Sequence, residues 1–280
     1  MKRIIHRGAK TLLFLGIIWV VFVVIGWALQ DRLIFPRWLA NDRASTTAPA
    51  NADVWTVPIN TEDHVEAWFF AAEGAPSSAP AIVLTHGNAE LIDDLAPVAT
   101  AWSRRGYHVL LPEYRGYGRC GDAPSERGIV QDVCNFIDRL KSRPDVDTER
   151  IAMIGRSIGC GVACQVALKH DPKAMILIVP PARIDSIAWS YGFPSFLVNH
   201  PFRSDLALPQ IDAPVLIIQR DRDEVIPDHH AGILHEAAGD SRLLRVQGSH
   251  NVATSPEAEQ DAVRGFLDRH LQKLDPARPD

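Results

Sequence analysis

The stretch IAMIGRSIGCGVACQVALKH, residues 151–170, decides the fold. It opens on an apolar run, Ile151 to Ile154, of the kind found in a strand buried on both faces. After Gly159 the composition becomes that of a helix. Between the two lies Gly155-Arg156-Ser157-Ile158-Gly159, a G-x-S-x-G pattern. With each fixed residue near 7% of average composition, that pattern alone arises by chance in roughly one chain in ten of this length. The flanking strand and helix make it specific, because a serine on a sharp strand-to-helix turn stands exposed above the edge of a sheet. Glycines at 155 and 159 let such a turn close.

Outward from this turn the alternation recurs. AIVLTHG (81–87), a helix near 91–105, HVLLPEY (108–114), a helix near 125–142, and AMILIVP (174–180) surround it. PVLIIQRD (214–221), a helix near 229–237, LLRVQG (243–248) and a helix near 256–273 follow. Buried strands separated by helices predict a mostly parallel sheet covered on both faces. Upstream, VWTVPI (54–59) and HVEAWFFAA (64–72) alternate apolar with polar residues and predict a hairpin, followed by the turn-rich GAPSSAP (74–80). Residues 181–208, between AMILIVP and PVLIIQRD, are too many for an ordinary connection. Trp189, Tyr191, Phe193, Phe196 and Phe202 make this segment aromatic. It is read as a short lid over the C-terminal edge of the strands, where ligands bind in open α/β folds, and its rings can also serve as core.

The N-terminus is of a different kind. Lys2, Arg3, Arg7 and Lys10 precede LLFLGIIWVVFVVIGWAL, residues 12–29. As a helix this uncharged run extends roughly 27 Å, close to the hydrocarbon thickness of a bilayer. A cleaved signal has a shorter apolar core ending in small residues, whereas this one ends Trp27-Ala28-Leu29-Gln30, so it is read as a signal anchor. The four leading cations outnumber Arg32 and Arg37 beyond the run, which places residues 1–10 in the cytoplasm and the remainder in the periplasm or outside the cell. Trp27, Trp38 and Phe35 are candidates for interfacial anchors, and Phe35-Pro36 equally for the start of the folded part. The organisation expected is a transmembrane segment at 11–29, a linker and domain entry at 30–53, a folded domain at 54–273 and a disordered tail at 274–280.

Composition excludes other classes. The 280 residues are 46% hydrophobic and 22% charged, ordinary for a globular chain and far from disorder. A net charge of −5 leaves no basic surplus for nucleic acid. Cys120, Cys134, Cys160 and Cys164 lack metal-ligand spacing, so no zinc site is expected. They are read as buried thiols, with a Cys120–Cys160 disulfide as the alternative in an oxidising compartment.

A serine hydroxyl needs a base and an orienting acid, and after this kind of turn they follow in the order acid, then histidine. Asp223 lies just past VLIIQR in DRDEVIP, with Asp221 and Glu224 as neighbouring alternatives. His250 lies just past LLRVQG in GSHN. His229 and His230 compete for the base, but are expected at a helix start on a solvated face. Backbone N–H groups of Ile158 and Asn88 are placed to hold an oxyanion, with the Asn88 side chain as a further donor. His86 precedes a glycine turn and is assigned a structural hydrogen-bonding role. Tyr114, Arg115 and Tyr117 are read as ties between loops, and Arg156 either as a brace or as an anion holder.

THGNAE (85–90), PEYRGYGRCGDAPSE (112–126), GRSIGCGVA (155–163), DRDEVIP (221–227) and GSHN (248–251) together resemble the successive motifs of the α/β-hydrolase superfamily. The resemblance covers about residues 54–273 and is greatest to small membrane-anchored serine hydrolases of the serine aminopeptidase and esterase-like group. It implies a Ser157, Asp223, His250 triad and no metal or organic cofactor. Three positions depart from the usual pattern: Glu113 in place of aspartate, Cys120 in place of serine, and Gln219-Arg220 in place of His-Gly. The expected function is cleavage of a carboxylic ester or related acyl bond in a small-molecule or lipid substrate through an acyl-enzyme. A peptidase, amidase or thioesterase with the same triad is the alternative, and a silent membrane-tethered binding module the non-enzymatic one.

Overall fold

The computed structural model describes residues 2–45, 47–74 and 78–272, with side chains from Gly8 onward. The tail expected at 274–280 lies outside the described residues, as does part of the turn-rich 74–80 segment. Eight strands form one sheet: β1 (Asp53–Pro58), β2 (His64–Phe70), β3 (Ala79–Thr85), β4 (His108–Pro112), β5 (Val146–Arg156), β6 (Ala174–Ile178), β7 (Val215–Arg220) and β8 (Ser241–Val246). Their order is β1-β2-β4-β3-β5-β6-β7-β8. The β1–β2 hairpin is antiparallel, β2 pairs antiparallel with β4, and every pair from β4 to β8 is parallel.

The helices are α1 (Lys2–Ile34), α2 (Ile92–Ser103), α3 (Glu126–Lys141), α4 (Ile158–His170), α5 (Ile184–Ser190), α6 (Ser204–Ala207), α7 (His229–Ala237) and α8 (Pro256–Leu271). Alternate strand residues face opposite layers. Val83, Met153, Leu177 and Ile217 pack with Val133 and Phe136 of α3 and Val162 and Val166 of α4. Ile82, Ile154, Ile176 and Leu216 pack with Ile92 and Ala96 of α2 and Val263 and Leu267 of α8. Burial on both faces is why the central strands are continuous apolar runs. At the rim, β8 exposes Arg242 and Arg245, charges that discourage further strand pairing.

Helix α4 is buried from Ile158 to Cys164 and is built from small residues accordingly. A Cβ on Gly161 would stand 2.7 Å from the Phe202 Cβ, so the ring of this lid residue sits directly on α4. Phe202 and Phe193 of the 181–208 segment are buried, while Trp189, Tyr191 and Phe196 are exposed. The segment is thus both lid and core. All four cysteines are free and buried, and the Cys120 Sγ accepts a hydrogen bond from the Glu66 N–H.

Helix α1 continues past the apolar run to Ile34, and Gln30 within it turns its carboxamide onto the lid. The segment that follows is docked: Phe35 is buried against Phe202 and His200, and Asn41 bonds the Gly116 carbonyl and the Gly118 N–H. Phe35 therefore begins the folded part, while Trp27 and Trp38 stay exposed. One expectation changes: His230 is 1% exposed instead of lying on a solvated face. Its Nδ1 accepts the Ala182 N–H at 3.0 Å and so ties α7 to the start of the lid.

Burial, with the His229 and Arg183 charges nearby, lowers the His230 pKa to about 4. An unfolded histidine protonates near 6.5, so the unfolded chain binds this proton first as the pH falls. The neutral-His230 contribution to stability is therefore complete above about pH 6.5 and declines toward pH 4. The thermal midpoint is expected to fall across this window, less steeply for His230→Asn, which keeps an acceptor near the Nδ1 position. Unfolding followed by circular dichroism at several pH values checks this.

Candidate active site

Ser157 occupies the turn between β5 and α4 with φ 52° and ψ −123°, a region that costs a residue with a side chain roughly 1–3 kcal/mol. The Ser157 N–H donates to the Ile178 carbonyl and its own carbonyl accepts from Cys160, each at 2.9 Å. The flanking glycines are required by proximity. A Cβ at 155 would lie 2.6 Å from the Cys160 Cα, and one at 159 would lie 2.2 Å from the Thr85 carbonyl oxygen. The Thr85 hydroxyl, donating to the Gly159 carbonyl at 2.9 Å, completes this junction of α4 with the end of β3.

Asp223 follows β7 and His250 follows β8, and the two loops meet over Ser157. His250 Nε2 is 3.0 Å from Ser157 Oγ, and His250 Nδ1 is 2.8 Å from Asp223 Oδ2. Asp223 Oδ1 also accepts the Val225 and Ile226 N–H groups at 2.9 and 2.7 Å. Burial alone would raise the Asp223 pKa; the His250 hydrogen bond and these backbone donors outweigh it and hold the carboxyl below its ordinary range. Of the neighbouring acids, Asp221 accepts from the Gly248 N–H and Glu224 from the His250 N–H, so both shape the histidine loop from its backbone. Ser157 and His250 are 8% and 6% exposed.

Asn88 and Ile158 line the same cavity as Ser157 and His250. Ile158 is the first residue of α4, where the N–H groups have no partner within the helix. The Tyr117 hydroxyl donates to Asn88 Oδ1 at 2.9 Å and so orients that carboxamide. His86 is fully buried between two acceptors: its Nδ1 is 2.8 Å from the Gly87 carbonyl, and its Nε2 makes an ion-pair contact of 2.8 Å with Glu113, not an aligned hydrogen bond. Burial opposes its protonation, but the Glu113 carboxylate prevails and raises its pKa above the ordinary histidine value. Glu113 also accepts from the Ile92 and Tyr114 N–H groups, which makes the longer acid a hub beneath the Asn88 turn. Arg115 makes a bidentate pair with Asp132 at 2.7 Å and lies outside the cavity wall.

The sequence reading missed a clamp on the histidine loop. Arg220 is 5% exposed, donates to the His250 carbonyl at 2.7 Å, and is held by Glu259 of α8 at 3.0 Å. Arg156 donates to the same carbonyl at 3.1 Å and to Asn251, with Glu90 as its ion-pair partner. Arg156 is thus a brace. A buried arginine just past β7 facing a helical glutamate was the available signal, but its target lies thirty residues downstream of it and only the folded chain joins them. Replacing Arg220 with glutamine strands a half-buried Glu259 carboxylate and frees the His250 loop. The expected loss is about 1–3 kcal/mol of stability. Reaction of Ser157 with an organophosphonate should slow by about tenfold to a hundredfold, the scale of misplacing a reacting group by an ångström. Calorimetry and labelling kinetics on the same preparation check both.

The family model of serine aminopeptidases, S33, matches residues 76–204. An uncharacterised protein of Mycobacterium tuberculosis is 32% identical over 256 residues, 86% of this chain and 88% of that protein. The lysophosphatidylserine lipase ABHD12 of Gallus gallus is 31% identical over 220 residues, 69% of this chain; the chain spans only 57% of that lipase. Among solved structures, Est1E from Butyrivibrio proteoclasticus with ferulic acid bound superimposes with a TM-score of 0.68 at 18% identity, covering 78% of this chain and all of that one. The relatives above 30% identity, the serine aminopeptidase model and a sheet of this order with its serine turn after β5 agree: the chain belongs to the α/β-hydrolase superfamily.

Proposed function

We propose that the protein is a membrane-anchored serine hydrolase that cleaves carboxylic esters carrying an apolar acyl chain. The observation that carries this reading is the unbroken relay Asp223, His250, Ser157, with contacts of 2.8 and 3.0 Å, opening into a cavity of ≈ 1020 Å³ whose wall is mostly apolar. In this reading His250 removes the Ser157 proton as the hydroxyl attacks the acyl carbonyl, then returns it to the departing alcohol. Asp223, held ionised, keeps the Nδ1 proton of His250 in place and stabilises the imidazolium. The N–H groups of Ile158 and Asn88 take the oxyanion, each such donor being worth about 3–4 kcal/mol in the transition state. Water then releases the acid by the same steps in reverse.

Ester cleavage is favoured over an aminopeptidase by the charges at the cavity. A peptide amino terminus needs an unpaired carboxylate, and the carboxylates lining this cavity, Glu90 and Asp94, each face an arginine, Arg156 and Arg43. The lipase name of the Gallus gallus relative agrees with an apolar acyl group. Anchoring is supported by the segment Gly8–Ile34, 27 residues of mean hydropathy 2.8 in its most apolar window, and by its bonds to the lid, which a cleaved signal would not need. The cations ahead of the helix favour a domain on the periplasmic or outer side.

Hydrolysis of p-nitrophenyl octanoate by the full-length protein tests the activity. Ser157→Ala is expected to reduce kcat by about 10⁴–10⁶-fold and Asp223→Asn by about 10⁴-fold, both with little change in stability. An active Ser157→Ala protein contradicts the assignment. Orientation is checked separately: protease added to intact cells should degrade the domain, and a protected domain places it in the cytoplasm.

A further inference from the structure

The cavity above Ser157 has two walls. One is the lid, through Ile184, Ile187, Ala188 and Phe193; the other is helix α1, through Phe22 and Gly26. Phe22, Gly26 and Gln30 are spaced four apart and share one face of α1. That face is fastened to the lid at both ends. Trp19 Nε1 donates to the Gly192 carbonyl at 3.2 Å, and Gln30 bonds the Leu197 carbonyl and the Asn199 N–H at 3.2 and 2.8 Å. Midway, the Phe193 ring lies on the helix backbone, so that a Cβ at Gly26 would stand 2.8 Å from it. Glycine in a helix interior costs about 1 kcal/mol relative to alanine, and the Phe193 contact explains this one.

The attachment reaches into membrane depth. From Gln30 back to Trp19 the lid follows α1 for roughly 16 Å at 1.5 Å per residue. A hydrocarbon core takes about 20 helical residues. Within the 27-residue span Gly8–Ile34, even the placement furthest from the domain, 8–27, keeps Trp19, Phe22 and Gly26 inside that core. The lid tip, with Trp189 64% and Tyr191 76% exposed, then lies against lipid.

We propose that α1 is the second wall of the acyl pocket, and that Phe22 and Gly26 set the length of acyl chain admitted from the bilayer between helix and lid. The proposal rests on the reading of Ser157 as the nucleophile of an esterase. The anchor is then a specificity element as well as a tether. Chain length is measured against a surface that only the full chain possesses.

The test uses the full-length protein in phosphatidylcholine vesicles with p-nitrophenyl butyrate, octanoate and palmitate. Gly26→Leu crowds the Phe193 ring at the seam of helix and lid, narrowing the pocket, and is expected to lower kcat/KM for palmitate by about tenfold or more relative to butyrate, the scale of a few methylenes lost from an apolar pocket. Phe22→Ala opens it and is expected to move the optimum toward palmitate. Val24→Leu, on the opposite face and 57% exposed, is expected to keep the wild-type profile. If Gly26→Leu fails to fold, Phe22→Ala carries the test alone. An active enzyme whose profile neither pocket variant shifts overturns the proposal. A wild-type protein that cleaves none of the three esters overturns the esterase reading beneath it as well.

Discussion

The site depends on how closely α4 approaches the end of β3. With the Thr85 carbonyl oxygen 2.2 Å from where a Gly159 Cβ would stand, no side chain fits at 159. This contact does two things at once. It lets the backbone at Ser157 take its strained conformation, and it sets the first turn of α4 beside the His86-Gly87-Asn88 turn that leaves β3. The rest of the fold supports that junction. Both sheet faces are packed, α4 is buried over most of its length, and the Ile178 carbonyl holds the Ser157 N–H from the neighbouring strand.

Two layers of charged groups surround the junction. Below the Asn88 turn, Glu113 gathers the Ile92 and Tyr114 N–H groups and faces the His86 ring at 2.8 Å. Above it, Arg220 and Arg156 converge on the His250 carbonyl, each backed by a glutamate. Such nearly buried ion pairs add little net stability over apolar packing, and removing one partner is costly. Their value here is positional, since they fix the backbone of the loop whose imidazole must meet Ser157.

The sequence carried the architecture because the strands are continuous apolar runs and the helices between them are regular; each predicted helix after α1 lies within a few residues of its observed ends. The order of serine, acid and histidine was legible for the same reason, each following a recognisable strand. Arg220, Glu259 and Glu90 were not legible, because their partners are distant in sequence and a charged residue beside a strand reads as solvent-facing. His230 was misread likewise: adjacent histidines at a helix start look exposed, and only the lid passing over α7 buries one of them. The contacts of Gln30 and Asp31 with the lid were not legible either, because polar residues after an apolar run read as an interface.

The central claim, an activated serine at the α4 turn, is tested most directly by reacting the full-length protein with a fluorescent fluorophosphonate and locating the label by mass spectrometry, beside Ser157→Ala. Stoichiometric label on Ser157 and none in the variant is the expected result. A folded protein that takes no label, or takes it equally in both, contradicts it.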